Sequence, residues 1–163
     1  MNFMKTTKKK CEASATLKKA GLSQTSHRRR ILHILIHADT PLSVNDVLKQ
    51  LDQERKMNKV TAYRILSSFK SEGIVREILS DHGVHHYEMA CEHNPVHPHV
   101  YCRICRTMTC LPPITMWRVR DLITIPPDFR IEDIHVHITG LCKGCQKKKN
   151  VTPFIDKERG FHL

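Results

Sequence analysis

Two C-x-x-C pairs, Cys102-Arg103-Ile104-Cys105 and Cys142-Lys143-Gly144-Cys145, lie 36 residues apart in a chain of 163 residues. Four thiolates delivered by two knuckles make a closed tetrahedral zinc site with no open position for a substrate, which is a structural staple. The C-terminal half must therefore fold so that two distant turns meet at one ion. Gly140 and Gly144 give the second knuckle room to turn. An ion held by four thiolates is negative overall, and Arg103, Arg106 and Lys143 stand close enough in sequence to balance it.

A second group of soft and borderline ligands precedes the first knuckle: Cys91, His93, His97 and His99, with Pro95 and Pro98 excluding a helix. On an extended stretch His97 and His99 project to the same side, because side chains alternate with period two. A mixed thiolate and imidazole set favours zinc over iron(II) or manganese(II). The fourth ligand must come from elsewhere; Glu77 is the first candidate, and Glu88 and His86 are alternatives. Cys11 and Cys110 have no obvious partner, and Cys110 reads as a buried thiol in a strand. His135 and His137 alternate with Ile134, Val136 and Ile138, which puts the histidines on the exposed face of a strand.

The N-terminal half has a different character: six of the seven Cys fall after residue 90, whereas most of the excess positive charge falls before it. The whole chain carries 27 Lys plus Arg against 16 Asp plus Glu, so it favours polyanionic partners through counterion release. Ile31, Ile34, Leu35 and Ala38 recur at helical spacing and predict a helix over 26–38. Ser43 is an N-cap for a second helix carrying Val44, Val47, Leu48 and Leu51. Asn58 caps a third over about 59–72, with Ala62, Ile65, Leu66 and Phe69 as its apolar stripe and Gly73 as its stop. Residues 74–79 and 84–89, joined through Gly83, predict a hairpin. Three helices and a hairpin give the order of a winged helix-turn-helix.

The face of the third helix opposite its apolar stripe shows Tyr63, Arg64, Ser67, Ser68 and Ser71, with Lys59 and Thr61 at its N-terminal end. Small polar residues permit close approach to a major groove, while Lys59, Tyr63 and Arg64 reach bases and phosphates. Arg28, Arg29 and Arg30 open an earlier helix and flank the DNA backbone in this reading. His33 and His37 share a helix face, but a zincin needs Glu after the first His, and Ile34 stands there.

Taken together these residues resemble the ferric uptake regulator family, most closely its zinc uptake regulator branch. The resemblance runs from about Thr16 to Cys145. It rests on Leu17-Lys18-Lys19-Ala20-Gly21-Leu22 with Thr25-x-x-Arg28, on Thr61-Ala62-Tyr63-Arg64, and on Gly73-Ile74-Val75. It continues through His97-x-His99-Val100-Tyr101-Cys102-x-x-Cys105 and Gly140-Leu141-Cys142-x-x-Cys145. It implies an α+β chain with an N-terminal winged helix-turn-helix domain and a small C-terminal α/β dimerisation domain holding structural zinc. The expected boundaries are 1–89 for the DNA-binding domain, with 1–12 as a flexible basic arm, 90–98 for a hinge and 99–163 for the dimerisation domain.

Carried over position by position, the resemblance implies DNA contacts at Tyr63 and Arg64, joined on the residue reading by Arg28, Lys59, Thr61 and Ser67. It implies structural zinc at Cys102, Cys105, Cys142 and Cys145, and regulatory zinc at Glu77, Cys91, His97 and His99, hence two zinc ions per chain. Val96 and Pro98 stand where the family's additional site draws ligands, so that site is not expected. The implied function is zinc-responsive repression of zinc uptake genes by a homodimer on palindromic, double-stranded operator DNA; the alternative is an iron or peroxide sensor on the same scaffold.

Other classes fit less well. A zinc deaminase would use His86-Tyr87-Glu88 and Cys102-x-x-Cys105, but Tyr101 replaces its proline, Pro112 and Pro113 obstruct the following helix, and the second Cys pair is idle. A zinc-ribbon RNA binder leaves the Tyr63 helix unexplained and has few aromatics for stacking. No stretch nears the roughly 20 apolar residues of a membrane span, and the lysine-rich start has no apolar segment behind it. A cytoplasmic regulator that is not an enzyme and has no small-molecule substrate is expected.

Overall fold

The structure, a computed structural model, describes residues 11–51, 57–80, 83–115, 118, 123–124, 126–130 and 136–147. Five helices and six strands occur among them: α1 (Ala13–Lys19), α2 (Ser26–His37), β1 (Leu42–Ser43), α3 (Val44–Gln50) and α4 (Lys59–Ser71) come first. Then follow β2 (Val75–Leu79), β3 (His85–Met89), β4 (His99–Cys102), β5 (Met108–Cys110), β6 (His137–Gly140) and α5 (Lys143–Gln146).

Each N-terminal helix starts where its sequence supplies an acceptor for orphan N–H groups. The Thr25 hydroxyl accepts from Arg28 N to open α2, and the Asn58 carbonyl from Thr61 N to open α4. Ser43 and Asp46 exchange bonds in a full capping box before α3. Gly73 ends α4 in a left-handed turn at φ 65°, with Ile74 N donating to Phe69 O at 2.8 Å, so the chain reverses directly into β2. The helix α1 is a finding that apolar periodicity did not forecast: Glu12 caps it through Ser14 N and Ala15 N, and only Leu17 is buried along it.

β2 and β3 pair antiparallel in the predicted hairpin, with Arg76 opposite Glu88 and Glu77 opposite Tyr87. β1 adds to the far edge of β3, a strand too short to show in the sequence. Leu17, Ile31, Leu32, Val47, Leu66 and Phe69 are fully or almost fully buried in one cluster, which α1 to α4 and the wing share. This is the winged helix, and α4 lies on it with its polar face outward.

The C-terminal sheet has the order β5-β4-β6, with β4 antiparallel to β5 and parallel to β6. The turn between β4 and β5 is the first Cys knuckle, closed by Arg106 N donating to Cys102 O at 2.8 Å. Arg106 takes φ 63° there, a left-handed conformation unusual for a side chain with a Cβ. His135 falls outside the described residues, as do positions 1–10 of the expected arm at 1–12 and the tail from 148.

Candidate metal centres and nucleic-acid interface

The four paired cysteines converge. Their sulfur atoms all lie within 4.8 Å of one another, with Cys102 and Cys145 buried and Cys105 and Cys142 at the surface. The Sγ–Sγ distance of Cys105 and Cys142 is 3.7 Å, against about 3.8 Å for the edge of a tetrahedron with zinc–sulfur bonds of about 2.3 Å. Burial by itself would raise the Cys102 thiol, but N–H groups of Cys142, Cys105 and Ile104 donate to its sulfur and bring it down to about 6. Burial and the neighbouring thiols push Cys145 up to about 12. Such a donor set fits a divalent soft or borderline ion, which displaces the remaining protons on binding.

The second cluster joins Glu88, His97, His99 and Cys110, again with ligand atoms within 4.8 Å of one another. Glu88 is buried on β3 and divides its two oxygens between two tasks. Oε1 accepts from Arg76 Nε at 3.0 Å and Nη2 at 2.9 Å. Oε2 faces His97 Nε2 at 3.4 Å and His99 Nε2 at 3.3 Å. Burial opposes its ionisation, yet His99, His97 and Arg76 together hold the carboxyl below its usual range, so it is an anion. Pro95 O lies 2.8 Å from His97 Nδ1, which assigns the proton to Nδ1 and leaves Nε2 with its lone pair directed into the cluster. That buried Nε2 has no hydrogen-bond partner among the described residues. An orphaned imidazole nitrogen beside a carboxylate oxygen is what a metal-ligand set looks like, and the residues fit an ion here.

The sequence-expected set Glu77, Cys91, His97 and His99 comes together only in its histidines. Glu77 lies one residue out of step with Glu88: opposite residues of an antiparallel pair share a face, so Glu77 goes with Tyr87, and Arg76 with Glu88. Its carboxylate is engaged by Lys70, by Tyr87 Oη at 3.0 Å and by His85 Nδ1 at 2.7 Å. His86, the other alternative, packs edge-on against Tyr101 with ring centroids 6.1 Å apart. Cys91 turns to Cys11, with the two sulfurs 3.2 Å apart.

Cys110, read as a buried thiol, is half-buried and brings its sulfur to this cluster instead. The signal was present in the sequence: folding the chain back about the first knuckle puts Cys110 directly across from His99. Arg76 was missed altogether. It also donates to Asn94 O at 2.6 Å, tying wing to hinge, and no sequence spacing announces such a contact.

Partial burial resists ionisation of Glu77, but Lys70, Tyr87 and His85 hold it below the usual carboxylate value. A depressed carboxyl contributes stability that is full above its unfolded value of 4.5 and is lost as pH falls through the lower folded value. Glu77→Gln is therefore expected to flatten the decline of thermal stability below pH 4.5 while leaving metal binding at the hinge unchanged, as read by melting curves and metal analysis at each pH.

On α4, Ala62, Ile65, Leu66 and Phe69 are buried, whereas Lys59, Tyr63, Arg64 and Ser67 are exposed, and Thr61 is half-buried. The Lys59 ammonium stands 5.8 Å from the Tyr63 ring centroid, so the two side chains present one surface. Arg28 is half-buried at the start of α2 and bonded to Ser23, which fixes its guanidinium.

A family model described as the ferric uptake regulator family matches residues 19–139, a stretch that holds α4, the wing, the hinge cluster and the first Cys knuckle, with Cys142 and Cys145 just beyond it. The chain belongs to the ferric uptake regulator family. It is 31% identical over 136 residues to the ferric uptake regulation protein of Neisseria meningitidis serogroup A, covering 82% of this chain and 93% of the relative. It is 26% identical over 140 residues to the peroxide operon regulator of Bacillus subtilis, covering 85% and 94%. In structure it resembles the ferric uptake regulator of Vibrio cholerae, with TM-score 0.68 at 24% identity, covering 79% of this chain and 98% of that one. As a member of the family it is a metal-responsive transcriptional regulator and not an enzyme, with an N-terminal DNA-binding and a C-terminal dimerisation domain. Among the described residues no helix is long and apolar enough to cross a membrane.

Proposed function

We propose that this family member is a zinc-responsive repressor that binds palindromic operator DNA as a homodimer and controls zinc uptake genes. One observation carries the choice of metal: Cys110 brings a thiolate to the same point as two imidazoles and a carboxylate. Thiolate with imidazole suits zinc, whereas iron(II) and manganese(II) are better served by oxygen-rich sets. A second zinc, at Cys102, Cys105, Cys142 and Cys145, is the structural one.

Glu88 belongs to the wing, His97 to the hinge at 90–98, and His99 and Cys110 to the C-terminal domain that begins at 99. An ion shared by these four supplies a cross-link between the DNA-reading half and the half that sets its position. Arg76 holds Glu88 ready and ties Asn94 to β2, so the wing side of the link is preorganised. With the hinge fixed, two copies of α4 meet successive major grooves at one spacing, through Lys59, Thr61, Tyr63, Arg64 and Ser67, with Arg28 beside the backbone. Binding of zinc and of DNA then strengthen each other reciprocally. Exposed Phe129, Val136 and Ile138, in the half with the smaller core, support self-association there.

The names of the curated relatives favour a second reading, iron or peroxide sensing. The experiment is a titration of protein holding only its structural zinc with zinc, anaerobic iron(II) or manganese(II), on a labelled duplex selected from a random pool. Zinc is expected to tighten DNA binding at the lowest free-metal concentration, by about tenfold or more. Tightening by iron(II) below the zinc threshold would contradict the zinc reading. Affinity indifferent to every metal would contradict metal control altogether.

A further inference from the structure

Four of the seven cysteines form the tetrad and a fifth, Cys110, lies in the hinge cluster; the other two, Cys11 and Cys91, meet each other. They are 80 residues apart in sequence, and their sulfurs lie 3.2 Å from each other. Chain connectivity does not impose such a meeting. Cys11 is the residue before the cap of α1, where Glu12 takes the N–H groups of Ser14 and Ala15 and Leu17 anchors the helix in the core. Cys91 opens the hinge, where its carbonyl accepts from Asn94 N at 2.8 Å and the Asn94 amide donates to Met89 O at 2.8 Å. Ordered backbone therefore presents each sulfur to the other, and closing to a disulfide bond of about 2.05 Å requires a movement of little over 1 Å. Both side chains are only partly buried, so a small-molecule disulfide can reach them.

We propose that Cys11 and Cys91 form a reversible dithiol–disulfide pair that locks the segment ahead of α1 to the hinge. The oxidant is a small-molecule disulfide of the glutathione class. One thiolate of the pair attacks a sulfur of that disulfide, forming a mixed disulfide and releasing one thiolate. The second cysteine, having lost its proton, then displaces the remaining small thiol. The pair is oxidised by two electrons, the reagent is reduced to two thiols, and no metal takes part. The loop so closed, from 11 to 91, spans the whole winged helix, so the lock acts on the hinge and not on the reading helix. The inference stands on the sulfur geometry and holds whichever metal the hinge cluster binds.

The test equilibrates the full-length, zinc-loaded chain with ratios of reduced to oxidised glutathione, followed by alkylation, digestion and mass mapping, with zinc content measured in the same samples. The expected result is the loss of two alkylatable thiols, a fragment joining the Cys11 and Cys91 peptides, full reversal by reductant, and retention of zinc. In Cys11→Ser the joined fragment disappears and Cys91 carries one glutathione instead. The proposal is overturned if both cysteines remain alkylatable at the most oxidising ratio. It is overturned equally if either one pairs preferentially with another cysteine, or if the tetrad loses zinc before this pair oxidises.

Discussion

Cys102→Ser is expected to unravel the C-terminal sheet while the winged helix stays folded. Among the described residues beyond Ala90, the buried hydrophobic side chains are Tyr101, Cys102, Met108 and Cys145, and two of these four belong to the tetrad. So small an apolar set cannot offset the entropy of ordering three strands, and the ion has to act as core. Structural zinc in small domains contributes about 10–16 kcal/mol of folding free energy, far more than those side chains supply. The N-terminal cluster, from Leu17 to Met89, has no such dependence. Metal analysis should show one zinc fewer per chain, circular dichroism a loss of strand with helix retained, and sedimentation the loss of self-association. A variant with unchanged strand content and stoichiometry would show that the four sulfurs are not a staple.

Arg76→Ala is the second large effect, and it separates stability from regulation. The substitution strips Glu88 of the two hydrogen bonds that Arg76 donates and of that counter-charge, leaving the carboxylate buried with His99 as its remaining hydrogen-bond partner. Breaking one partner of a buried pair costs about 3–5 kcal/mol, so metal-free protein should melt markedly lower. Zinc recovers part of that loss, because the ion replaces the missing positive charge beside Glu88. Removing a group that orients a ligand typically costs about 10–100-fold in metal affinity, and the zinc needed to tighten DNA binding should rise accordingly. Glu88→Gln removes the charge instead of exposing it: its melting temperature should fall less, and its zinc response should be lost more completely. The two readouts moving together in both variants would contradict the division of labour between Arg76 and Glu88.

Much of this architecture was legible in the chain because it is written locally. Helix spans followed from apolar spacing and from Ser43 and Asn58 as caps, with the Thr25 cap of α2 added by the structure, and the wing followed from Gly83 between two strand-like runs. The tetrad needed only its spacing. The hinge cluster was harder, since its membership depends on register. A step of one residue along the hairpin decides whether Glu77 or Glu88 faces the histidines, and the sequence offers acidic residues on both strands. The same holds for Cys110, which joins the cluster only because β5 folds back so that position 110 meets 99. The helix α1 escaped notice for a different reason: a single buried residue, Leu17, gives no period to detect.

In the proposed switch Glu88, His97, His99 and Cys110 hold the regulatory ion. Cobalt(II) reports on it directly, because a thiolate ligand gives a sulfur-to-cobalt absorption band that imidazole and carboxylate do not. With structural zinc left in place, cobalt(II) added to the hinge cluster should produce this band in the unaltered chain, in Cys91→Ser and in Glu77→Gln. The band should vanish in Cys110→Ser while cobalt still binds, more weakly, to the remaining three ligands. A band that survives in Cys110→Ser and is lost in Cys91→Ser would contradict the account and return the site to the sequence-expected set.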